Sequence, residues 1–136
     1  ITGGGIIRWV LQNAGMGDVI GPALEKSGLP LILVAFLIAG LIRTSVGAAV
    51  VSMTMTAGIM ASMPAVQALP PLQLAAMVCA INGGATAFSH VNDSGFWLVG
   101  SLLEIDEKTT LKSWTVMETI IGLVGLVCAL AISLFA

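Results

Sequence analysis

The sequence predicts an all-α, polytopic membrane protein with three to four transmembrane helices, one of them broken. Three observations carry this expectation. Hydrophobic residues make up 57% of the 136 residues and charged residues only 9%, with a mean hydropathy of +1.05. A water-soluble domain carries about 25% charged residues, because its surface must face water. This chain has too few charges to coat a globule, so its surface faces lipid or other protein. Residues 44–92 contain no Asp, Glu, Lys or Arg. The prolines of "MPAVQALPPL" (63–72) divide that run, since proline ends helices and disfavours helix in the residue before it. The net charge of −2 gives no reason to expect a nucleic-acid partner; the expected partner is the bilayer.

The elements follow in chain order. Residues 1–28 mix a glycine run with four charges (Arg8, Asp18, Glu25, Lys26), and Ile6, Ile7, Val10, Leu11 and Ala14 fall at helical spacing. An amphipathic interfacial helix or the arm of a re-entrant hairpin is expected there. Residues 29–136 are expected to form the transmembrane region. Within it, 29–62 is one apolar unit with a polar centre, "RTSVG". At about 1.5 Å per residue a continuous helix of that length would reach roughly 50 Å, against a hydrocarbon core of about 30 Å. A break near Thr44–Gly47 follows. A third apolar unit runs from Leu72 to Val99. The charged stretch 101–113 is a loop or surface helix, and "VMETIIGLVGLVCALAISLFA" closes the chain as a last span.

Trp97 and Trp114 flank the charged stretch and read as interfacial anchors. Lys108 and Lys112 place that stretch in the cytoplasm and the uncharged proline loop outside. Cys79 and Cys128 lie in apolar runs without partners at ligand spacing, so they read as small buried hydrophobes and no metal site is expected. The chain begins at Ile1 with no secretory signal pattern, and "ITGGG" reads like the interior of something longer.

Chemistry concentrates at two places. Arg43 adjoins Thr44, Ser45 and Gly47, and "SHVNDSG" (89–95) sets His90 and Asp93 in an apolar unit. An ionisable group at membrane depth costs about 2.5–3.5 kcal/mol on insertion scales, so it faces a cavity or a partner. Substrate sites of transporters sit at broken helices of this kind. Each residue also has a plainer reading. Arg43 either holds a carboxylate or snorkels to an interface. Asp93 either exchanges a proton or caps the following helix. His90 is either a relay or a hydrogen-bonded packing residue. The glycines of "INGGA" (81–85) read as close-packing positions. No nucleophile–base pairing or cofactor motif points to an enzyme.

"FSHVNDSGFWLV" (88–99) resembles the signature near the C-terminus of the gluconate:proton symporter (GntP) family of bacterial inner-membrane permeases. "GGGIIRWVLQNAGMGDVI", "LIRTSVGAAVVSMTMTAGIM" and "KSWTVMETIIGLVG" resemble further segments of that family, in the family's order. The chain looks like the C-terminal third of a member. It departs from the family at Gly47, Ala48, Ala49, Val50 and Val51, where two hydroxyls are missing, although Ser45, Ser52, Thr54 and Thr56 stand nearby.

The resemblance implies part of an inverted-repeat ion-transporter architecture in the bacterial inner membrane. It also implies proton-coupled uptake of gluconate or a related small hydroxy-carboxylate. Arg43, Thr44, Ser45, Gly47, Ser89, His90, Asn92 and Ser94 are then expected to bind substrate, and Asp93 with His90 to carry the proton. The expected partners are a small organic anion, a proton, the N-terminal part of the permease and possible further copies in a homo-oligomer, with no cofactor. Three alternatives stand: a sodium-coupled organic-anion transporter, a D-serine transporter, and a non-transporting membrane subunit or truncated fragment.

Overall fold

The computed structural model describes residues 28–135, together with Ile6, Trp9, Val10 and Asn13. These four are helical and exposed; the amphipathic helix or hairpin arm expected over 1–28 otherwise lies outside the described residues. Among the described residues there is no strand, and the all-α class is as expected.

Pro30, whose ring fixes its φ, leads into α1 (Leu31–Val46). This helix ends where the sequence placed a break. Gly47 takes φ 77°, and its N–H donates to the Arg43 carbonyl at 2.9 Å. That left-handed cap suits glycine. Space demands glycine as well, because a Cβ at position 47 would lie 2.1 Å from the Asn92 carbonyl oxygen. Ala48 is extended, and α2 (Ala49–Ala61) begins after it. The Ser52 hydroxyl donates to the Ala39 carbonyl at 2.6 Å, tying the two halves together.

The proline stretch forms the short α3 (Pro64–Gln67) and opens α4 (Pro71–Thr86). In both, proline sits in the first turn, where its missing N–H has no intrahelical partner to lose. A linker, residues 87–93, leads to α5 (Ser94–Leu102). Then come α6 (Glu107–Thr110), a π-helical turn (Leu111–Thr115) and α7 (Val116–Leu134). Glu107–Leu134 runs as one 28-residue helix, the one long and apolar enough to cross a membrane among the described residues. The 16, 13 and 16 residues of α1, α2 and α4 span less. They reach about 20–24 Å, against a hydrocarbon core of about 30 Å.

Helix α4 sits at the centre. One face packs Met77, Ile81 and Ala85 against Ala35 and Ala39 of α1, Met60 of α2, and the Met63–Val66 turn. The other packs Ala76 and Ala80 against Ile32 and Phe36 of α1 and Ala129 of α7. Small residues let the backbones touch. A Cβ on Gly84 would fall 2.2 Å from the Phe36 carbonyl of α1, and one on Gly122 would fall 2.5 Å from the Gly83 carbonyl. The glycines of "INGGA" therefore serve close packing, on opposite sides of α4.

The outer faces are apolar, with Leu41, Val78, Leu98, Ile120, Val124 and Val127 all exposed. Cys79 and Cys128 depart from expectation: both are free thiols on the exposed face. A helix that faces lipid or another membrane element is apolar outside as well as inside, so apolar neighbours do not foretell burial.

Candidate functional site: two chain breaks joined by an ion pair

The break at Gly47 and the linker 87–93 come together. Asn92 stitches them, its Nδ2 donating to the Thr44 carbonyl at 2.6 Å while its own carbonyl lies over Gly47. Across this junction Arg43 and Asp93, only 4% and 6% exposed, form an ion pair through Nη2 and Oδ2. Arg43 Nη1 donates to the Gly47 carbonyl at 2.7 Å. The same Asp93 Oδ2 accepts from the Ser89 hydroxyl, and Oδ1 accepts from the Gly95 N–H at 3.0 Å. Asp93 thus caps α5 and neutralises Arg43 at once.

Helix ends favour this placement. Arg43 lies in the last turn of α1, where exposed carbonyls concentrate negative potential, and Asp93 lies at the positive N-terminus of α5. Three N–H or O–H donors around one carboxyl suit its ionised, acceptor-only form.

The network continues into the long helix. Trp114, on the π-helical turn, donates its Nε1–H to Ser89 Oγ at 2.9 Å. The Phe88 N–H donates to Thr119 Oγ1 of α7 at 3.3 Å. Phe88 itself has φ 61°, a left-handed conformation that a bulky side chain rarely adopts. Such strain persists only where surrounding contacts hold it, and it clusters at functional sites. Two buried polar atoms here lack a hydrogen-bond partner among the described residues, Arg43 Nε and Thr115 Oγ1.

Of the residues expected from sequence, Arg43, Ser89 and Asp93 meet directly. Gly47 joins through its carbonyl, and Asn92 through the Thr44 carbonyl. The hydroxyls of Thr44 and Ser45 turn back to the Leu41 carbonyl, at 2.9 and 2.8 Å. Ser94 is exposed at the start of α5. The His90 ring donates from Nδ1 to the Phe88 carbonyl at 2.8 Å, while its own carbonyl accepts from the Asp93 N–H at 2.8 Å. It is therefore the backbone of His90, and not its ring, that meets Asp93.

Sequence reasoning missed Trp114 as part of this network and did not single out Glu118. Both sit where an apolar span begins. The cost argument that singled out Asp93 applies equally to Glu118. Trp97 keeps the exposed position of an anchor, its Nε1–H donating to the Val91 carbonyl at 2.7 Å.

The model of a family described as GntP family permease matches residues 1–135. The chain belongs to the GntP permease family. It is 41% identical over 127 residues to the low-affinity gluconate transporter of Escherichia coli (strain K12), covering 92% of this chain and 28% of that protein. It is 40% identical over 134 residues to a gluconate permease of Pseudomonas aeruginosa, covering 98% and 29%. It is 38% identical over 133 residues to the Gnt-II system L-idonate transporter of E. coli (strain K12), covering 98% and 30%. The chain thus spans less than a third of the length of these relatives. No solved structure matches. The GntP relatives are transporters and permeases, and this chain is accordingly a membrane protein of a transport family and not an enzyme.

Proposed function

We propose that the chain is the C-terminal part of a secondary transporter that takes gluconate, or a related small hydroxy-carboxylate, across the bacterial inner membrane with a proton. The names of the GntP relatives support the substrate class. One of them is named for L-idonate, which supports a class of hydroxy-acids over a single compound. The observation that carries the mechanism is the buried Arg43–Asp93 pair, with Arg43 Nε left without a hydrogen-bond partner among the described residues.

A guanidinium does not lose its proton, so Arg43 always needs an anion. While Asp93 is ionised, that need is met within the chain. When Asp93 takes a proton, Nη2 is released, and Nε and Nη2 together present the planar edge that a substrate carboxylate fits bidentately. Proton and substrate anion then enter as a neutral pair, or neither enters. In this reading Gly47 aims the guanidinium through its carbonyl, and Ser89 steadies Asp93. Thr44, Ser45, Asn92 and Ser94 offer hydrogen bonds to substrate hydroxyls, and the second ring nitrogen of His90 offers another from the linker.

Asparagine at position 93 separates coupling from capping, since it still accepts from Gly95 but cannot exchange a proton. In the complete permease, Asp93→Asn abolishes uphill gluconate accumulation driven by a pH difference, while the protein remains inserted. Accumulation by Asp93→Asn vesicles equal to wild type would remove Asp93 from the coupling role.

A further inference from the structure

Glu118 lies near the start of α7, one helical turn beyond Trp114, whose indole already reaches the site through Ser89. The next residue, Thr119, accepts from the Phe88 N–H, so this turn of α7 is held against the linker that carries Asp93. Glu118 is half-buried, and both Arg43 and Asp93 are close enough for their charges to act on it. Its carboxylate nevertheless has no hydrogen-bond or ion-pair partner among the described residues. Asp93, by contrast, accepts from Arg43, Ser89 and Gly95.

The two carboxylates are therefore suited to different tasks. Protonating Asp93 disturbs three contacts, whereas Glu118 has no such contacts to give up. Lys112, six residues earlier on the same helix, is exposed, and the intervening helix rises about 9 Å. The charged groups around Glu118 are few. Arg43 comes from α1 and Asp93 from the linker; α4, also packed on α7, carries no Asp, Glu, Lys or Arg. The His90 ring is engaged with the Phe88 carbonyl.

We infer that Glu118 is the relay through which the coupling proton passes between water and Asp93, an inference that rests on the coupling reading above. Glu118 takes a proton from water and passes it to Asp93. Glu118 is then ionised again, Asp93 is neutral, and Arg43 is free to hold the substrate. Glu118 touches neither the substrate nor Arg43 in this scheme; it acts through Asp93.

The test uses the complete permease in membrane vesicles, with gluconate as probe. Proton-driven uptake is compared with counterflow, which needs no net proton transfer, in wild type, Glu118→Gln, Glu118→Asp and Asp93→Asn. For a relay, the ratio of coupled uptake rate to counterflow rate in Glu118→Gln falls at least about tenfold. Its coupled rate also loses the wild-type dependence on pH, and Glu118→Asp restores much of both. Two outcomes overturn the relay: a Glu118→Gln ratio equal to wild type, or a Glu118→Gln variant in which both rates fall together, which makes the residue structural. Asp93→Asn distinguishes the underlying reading. If that variant still accumulates gluconate uphill, the coupling role of Asp93 falls, and a relay to it falls with it.

Discussion

Arg43 uses the three edges of its guanidinium unequally. Nη1 is committed to the Gly47 carbonyl, Nη2 to Asp93, and Nε has no hydrogen-bond partner among the described residues. A buried donor without an acceptor costs about 1–3 kcal/mol, so an arriving carboxylate would relieve a standing penalty as well as form new bonds. Lysine at this position keeps the charge but replaces the planar fork with a single ammonium. Arg43→Lys therefore weakens apparent affinity for gluconate by about tenfold or more, read from the concentration dependence of initial uptake. An unchanged concentration dependence would show that the fork does not hold the substrate and leave Arg43 as the structural counter-ion of Asp93.

At the scale of elements, the site is made by interrupting helices. Gly47 ends α1 in a conformation that a side chain resists, at a spot where the Asn92 backbone leaves no room for one. Gly47→Ala incurs about 1–3 kcal/mol of backbone strain, and the clash with Asn92 adds to it. The unfolding transition of the purified permease should move to markedly lower denaturant, whereas an unchanged midpoint would mean that the junction is looser than its contacts suggest.

Much of this was legible in the sequence. The length of 29–62 against the bilayer required a break, and the cluster of glycine and hydroxyl residues located it. The cost of burying charge singled out Arg43 and Asp93. Their direct pairing was not legible, because fifty residues separate them in the chain and only the docking of α1 against the linker brings them together. Trp114 read as an anchor because periodicity does not register the π-helical turn. The exposure of Cys79 and Cys128 was hidden for a different reason. In an apolar membrane chain the pattern that marks a buried face in a soluble helix is present on both faces.

At the scale of the molecule, the described residues form a packed helical layer whose exterior is as apolar as its interior. A surface holding Leu41, Ile120, Val124 and Val127 belongs against lipid or against the rest of a larger permease. The GntP relatives are more than three times as long as the matched region, which agrees with an architecture in which this layer is one part. The central claim is that one guanidinium is shared between Asp93 and the substrate, so that anion binding requires proton binding. Linkage makes this measurable without a membrane gradient, because a site that exchanges an internal carboxylate for an external one takes up a proton as it fills. The most direct measurement is proton uptake on adding gluconate to the purified permease in weakly buffered solution. The account predicts about one proton taken up per gluconate bound by the wild type and none by Asp93→Asn, at a pH where Asp93 is ionised before binding. Saturable gluconate binding by the wild type with no proton uptake at that pH would contradict it.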